Sequence, residues 1–137
     1  MDPDLRGRTS LPNAIGVLHM LTSPDAIKTF SYTTRGQLEK EMLSVAGDSF
    51  ASTLGYDEFG RVKNIVYPQP LGQEPFSVTH EYDARGFTIG VRDEASGIAY
   101  WELKDVDNAG RYREESFGNQ TTTNRSYFDD KQALKSI

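Results

Sequence analysis

Apolar and polar residues alternate over much of the chain. Phe76, Val78, His80 and Tyr82 interleave with Ser77, Thr79 and Glu81, and Phe87, Ile89 and Val91 resume the rhythm after a short break. Ala99, Trp101 and Leu103 do the same against Tyr100, Glu102 and Lys104. A period of two marks a half-buried strand, because successive side chains leave opposite faces of a sheet. Pro68-Gln69-Pro70-Leu71-Gly72, Ser96-Gly97 and Gly118-Asn119 break the pattern, and we read them as the longer connections between hairpins. Gln37 to Val45 and Asp129 to Ile137 hold good helix formers, but both fall where a returning strand is needed, so strand is expected. The first fifteen residues, with Pro3 and Pro12, show no alternation.

The breaks themselves repeat. Tyr56-Asp57-Glu58-Phe59-Gly60-Arg61-Val62 matches Tyr82-Asp83-Ala84-Arg85-Gly86-Phe87, and Val106-Asp107-Asn108-Ala109-Gly110-Arg111 keeps the Asp and the Gly-Arg. Tyr32 to Leu38 keeps the Tyr and Gly36, and Phe128-Asp129 begins a last copy in which Gln132 stands at the glycine position. A degenerate copy starts at Gly16. The anchors Gly16, Gly36, Gly60, Gly86, Gly110 and Gln132 are separated by 20, 24, 26, 24 and 22 residues. Such even spacing identifies tandem repeats.

Each copy suits two strands and a tight turn. Asp57, Asp83, Asp107 and Asp129 stand where a carboxylate accepts backbone N–H groups ahead of it. The glycine stands where the chain enters the left-handed region and forms a bulge, which glycine does without steric conflict. The aromatic before Asp and the apolar residue two after Gly then become cross-strand neighbours on one face. Gln132 at such a position strains the backbone by roughly 1–3 kcal/mol, implying a different turn or a frayed last hairpin. The predicted fold is all-β: tandem antiparallel hairpins forming a continuous curved sheet. Residues 1–10 are expected to be an irregular segment and 11–137 about six repeats, the last truncated.

Composition narrows the function. The chain has 137 residues, enough for one domain, and its net charge is −5 with no basic stripe. Nucleic-acid binding needs such a stripe, so that partner is not expected. There is no cysteine, which removes disulfides and thiolate metal sites. The N-terminus lacks the pattern of a signal peptide, and the longest apolar run, near Val17 to Leu21, is too short to span a membrane.

No residue set reads as catalytic. Glu39, Glu41, Glu114 and Glu115 are paired acids, but in alternating strands they read as solvated faces. The repeated Asp residues read as turn formers, and Asp105 to Asn108 lacks the distal Glu of a calcium loop, so no metal or cofactor is expected. His80 reads as packed on an apolar face and bonded to a neighbour. With two histidines, no cysteine and no Gly-x-Ser-x-Gly, no nucleophile–base pair arises. Tyr100 and Trp101 are the one candidate stacking surface, for glycans.

These residues resemble the Rhs/YD-repeat family of polymorphic toxins, insecticidal toxin-complex components and teneurins. Tyr56-Asp57…Gly60-Arg61-Val62 and Tyr82-Asp83…Gly86 match the YD signature. The series Trp101-Glu102-Leu103…Asn108-Ala109-Gly110-Arg111…Phe117-Gly118-Asn119-Gln120…Thr123-Asn124-Arg125 looks like the toxin-complex branch, with Gln120 in place of a glycine. The resemblance covers roughly residues 11 to 137. It implies a β-ribbon spiralling into a hollow shell that encloses a polypeptide cargo or serves as an extracellular scaffold. The implied partners are further repeats and the cargo, in a secreted or cell-surface protein of which this chain is a piece. No enzymatic activity is expected of it; the alternative is a β-repeat module that binds carbohydrate or a partner protein.

Overall fold

A computed structural model describes residues 16–69, 73–128 and 133–137. Every element in them is a strand. These are β1 (Met20–Thr22), β2 (Ala26–Tyr32), β3 (Leu38–Val45), β4 (Asp48–Tyr56), β5 (Val62–Val66), β6 (Ser77–Tyr82), β7 (Thr88–Asp93), β8 (Ala99–Val106), β9 (Tyr112–Phe117), β10 (Thr122–Asn124), β11 (Ser126–Tyr127) and β12 (Leu134–Ser136). Strand order follows chain order from β1 to β4 and again from β5 to β10, so the fold is a succession of antiparallel hairpins, as expected. The helix-forming stretch from Gln37 is strand β3: pairing with β2 from Ala26↔Val45 to Tyr32↔Leu38 outweighs a weak local propensity.

The chain folds as two compact units. Among the described residues, one comprises those up to Gly55 with 67–69 and 73–75; the other comprises Tyr56–Val66 and those from Phe76 onward. In the first, β2 is flanked by β1 and β3, and β3 pairs with β4 from Lys40↔Thr53 to Val45↔Asp48. In the second, β5 to β10 pair in sequence, and β11 pairs with β12 beside them in the chain.

The expected turn geometry recurs. In the turn after β6, Asp83 N–H donates to Phe87 C=O at 2.9 Å and Gly86 N–H to Asp83 C=O at 3.0 Å. The same two bonds close 57–61, 107–111 and 33–37, with Gly60, Gly110 and Gly36 at φ of 81°, 79° and 78°. This is a type I turn ending in a left-handed bulge residue. The predicted positions pair in Tyr32↔Leu38, Tyr82↔Thr88 and Val106↔Tyr112, each beside a register shift, although Thr88 is not apolar and Val106 not aromatic. Gly16 also has positive φ, at 81°.

Two of the expected long connections are corrected. Ser96-Gly97 lies in a tight turn, where Asp93 N–H donates to Ile98 C=O and Gly97 has φ 72°. Gly118-Asn119 lies in another, where Phe117 N–H donates to Thr121 C=O and Gln120 N–H to Phe117 C=O. There Gln120 takes the left-handed place at φ 67°. A Cβ on Gly118 would come 2.7 Å from Ala99 O, so glycine is needed for close backbone approach to β8. Asp129, Gln132 and residues 1–10 lie outside the described residues.

Little of the chain is deeply buried. Val78, at 6% exposure, is the one buried hydrophobic side chain among the described residues, while Phe59 and Phe87 are 73% and 58% exposed. Stability must come from backbone ladders, cross-strand pairs and side-chain bridges more than from a sealed core.

Candidate functional site

The repeat signature assembles into one polar device. Asp107 Oδ1 accepts the N–H groups of Ala109 and Arg111, both at 2.9 Å, and its Oδ2 accepts Arg111 Nε at 2.6 Å. Asp57 does the same with Phe59, Arg61 and the Arg61 guanidinium. Asp83 binds the N–H groups of Arg85 and Phe87, and its arginine partner, Arg85, stands one residue before the glycine instead of after it. In the first unit Thr33 Oγ1 substitutes for the carboxylate, accepting from Arg35 and Gln37 N–H. The ionised form of each Asp is favoured. The Phe87 and Arg111 backbone N–H groups chiefly hold Asp83 and Asp107 below the usual carboxylate range. For Asp57, desolvation pushes upward but is outweighed by the backbone and guanidinium donors of Arg61.

The device extends from one repeat to the next. Tyr82 Oη donates to Val62 C=O at 2.6 Å, and Tyr127 Oη donates to Tyr112 C=O at 2.9 Å. In the first unit Tyr32 Oη donates to Leu18 C=O at 2.6 Å. Each acceptor lies two residues after a repeat glycine: Gly60, Gly110 and Gly16. The arginine after the glycine covers the same tyrosine, Arg61 at 4.3 Å from the Tyr82 ring centroid and Arg111 at 4.4 Å from that of Tyr127. Turns 57–61 and 107–111 thus share a clasp: Asp orders the turn, the turn's Arg caps the next tyrosine, and that tyrosine bonds back to the turn strand. The clasp was not anticipated from sequence, although the matching spacing of Tyr and Gly-Arg carried its signal.

Tyr100 and Trp101 are engaged by different neighbours. Trp101 Nε1 donates to Glu115 Oε1 at 2.9 Å, and its ring lies 6.0 Å from that of Tyr112. Tyr100 Oη donates to Asp93 Oδ2 at 3.0 Å, and its ring lies 5.9 Å from Phe76. The Ser96 hydroxyl foremost, then Ser96 N–H and Tyr100, lower the Asp93 pKa; the bond to Asp93 raises that of Tyr100. Glu115 corrects the expectation of a solvated acid: it is 7% exposed and also bound by the Arg125 guanidinium. Glu41, by contrast, is a partly exposed partner of Lys28 at 2.7 Å. His80 also departs from expectation, since its buried Nδ1 has no hydrogen-bond partner.

A second charged cluster went unnoticed in the sequence. Arg92 bridges Glu81 and Glu102, and Lys104 Nζ adds a bond to Glu102 at 2.7 Å. Lys104, then Arg92, holds the Glu102 carboxyl below its usual range. Gly90 makes room for this, because a Cβ there would lie 2.5 Å from Glu81 Oε2. Every acid in the cluster has a basic partner, which suits cross-strand adhesion better than proton transfer.

A cleft of about 150 Å³ opens between the turn after β6 and strand β8, lined by Phe87, Ile89, Leu103, Val106 and Tyr112 among others. Its lining is mainly apolar. Among the described residues, no three His, Asp or Glu side chains converge as metal ligands, and no helix is long and apolar enough to cross a membrane. Compared with known proteins, the chain matches no family model and no curated protein.

Proposed function

We propose that the chain is a structural wall segment of the Rhs/YD-repeat type, serving to enclose or scaffold a polypeptide in a secreted or surface toxin system. One observation carries this reading: the residues that define the repeat are consumed in closing each turn and in tying it to the next repeat. The Asp carboxylates are filled by turn N–H groups, and the Tyr hydroxyls by carbonyls of the preceding repeat. Groups so occupied hold a sheet together; they are not presented to a substrate. The partners in this reading are further repeats of the same kind and the enclosed cargo, and no catalytic step falls to this chain. Curvature of the ribbon into a shell belongs to the same proposal.

Protease protection of the parent protein tests it. A cargo segment should resist digestion while the repeat region is intact and become cleavable once the wall is cut. Digestion of every other segment at the same rate with and without an intact wall would sink the idea. Selective binding to a glycan array, abolished by Trp101→Ala or Tyr100→Ala, would favour the carbohydrate-binding alternative.

A further inference from the structure

The turn between β9 and β10 carries a feature that the wall reading does not use. Asn119-Gln120-Thr121 and Asn124-Arg125-Ser126 both have the form Asn-x-Thr/Ser, the acceptor pattern for N-linked glycans. Sequence alone does not separate them, but their surroundings differ. Asn119, Gln120 and Thr121 are all exposed and form the tip of the hairpin. Thr121 Oγ1 donates to Asn119 Oδ1 at 2.7 Å, and Thr121 N–H donates to the same oxygen at 3.1 Å. Both bonds draw on the carbonyl oxygen and neither occupies Nδ2, the atom that must be glycosylated. The left-handed backbone at Gln120 folds the hydroxyl back over the asparagine.

Asn124 is placed otherwise. It is the last residue of β10, paired with Glu114 in extended backbone. Its motif hydroxyl, on Ser126, is bonded to Ser136 Oγ at 2.7 Å instead of to the asparagine. Access favours Asn119 as well: it stands in the exposed turn ahead of β10 and needs no strand to open, whereas Asn124 is paired within β10.

We infer that Asn119 is an acceptor for an N-linked oligosaccharide and that Asn124 is not. The co-reactant is a lipid diphosphate-linked oligosaccharide, used by a transferase. Asn119 Nδ2 forms a bond to the anomeric carbon and the bond from that carbon to the diphosphate oxygen breaks. The lipid diphosphate leaves with the electron pair, and an Nδ2 proton passes to a base of the transferase. In the cell this rests on export of the chain, but not on its belonging to a shell.

The test takes the purified, folded full chain with an oligosaccharyltransferase and a lipid diphosphate-linked oligosaccharide. Peptide mass mapping should find one glycan, on Asn119, and amidase release should leave Asp there. Asn119→Gln and Thr121→Ala should abolish the modification; Thr121→Ser and Asn124→Gln should retain it, with circular dichroism confirming that each variant stays folded. An unmodified chain, or a glycan on Asn124 to the same extent as on Asn119, overturns the inference.

Discussion

Glycine and aspartate at the repeat turns have separable physical roles. Gly110 sits at φ 79° with nothing within 4 Å of a built Cβ, so any penalty for alanine there is conformational and not steric. Gly110→Ala should lower the unfolding free energy by about 1–2 kcal/mol, read as a lower urea midpoint; an unchanged midpoint would contradict the turn assignment. Gln120 is the converse case. Gln120→Gly should stabilise by up to about 1 kcal/mol, reduced by the freedom that glycine gains in the unfolded chain. The Asp residues predict a pH dependence. Their folded pKa values lie below the unfolded value, so their contribution is complete above that value and is lost as pH falls through the folded one. The urea midpoint should therefore drop on going from neutral pH to below about pH 4, and Asp83→Asn with Asp107→Asn should flatten that drop. These turn roles were legible in the sequence because Asp and Gly act on their own backbone. Gln120 was not, since its left-handed geometry follows from hairpin closure and from Gly118 lying against Ala99, which no local preference announces.

Strands and their pairing were legible from alternation, even over Gln37 to Val45, where residue preference pointed to helix. The bonds between hairpins were not. They depend on which carbonyl a tyrosine reaches 15 or 20 residues away, and that is set by register. Tyr100 and Trp101, adjacent in β8, leave opposite faces of the sheet, so alternation separates them, but which partners each one meets is set by pairing. Likewise Glu115 looked like one of a solvated acidic pair until pairing brought Trp101 and Arg125 onto it. At this scale the clasp makes a direct prediction. Tyr82→Phe and Tyr127→Phe keep the ring under its arginine but remove the hydroxyl bond, and each should destabilise by about 1 kcal/mol. Equilibrium unfolding of the full chain measures this; no loss in either variant would mean that the hydroxyl bond of the clasp contributes nothing.

For the whole molecule, a succession of hairpins leaves terminal strands. Among the described residues β1 pairs only with β2, and its Met20 and Leu21 are exposed at 55% and 51%. An unpaired apolar edge invites further strands. The isolated chain should associate in a concentration-dependent way in analytical ultracentrifugation, and a concentration-independent monomer would contradict this. On the proposed reading, the same property would let further repeats extend a wall. The central claim is that these hairpins build a container and not a binding or catalytic globule. Electron microscopy of the longer repeat protein that this proposal requires tests it most directly: the account predicts a hollow shell with density inside, and a solid particle without a cavity would contradict it.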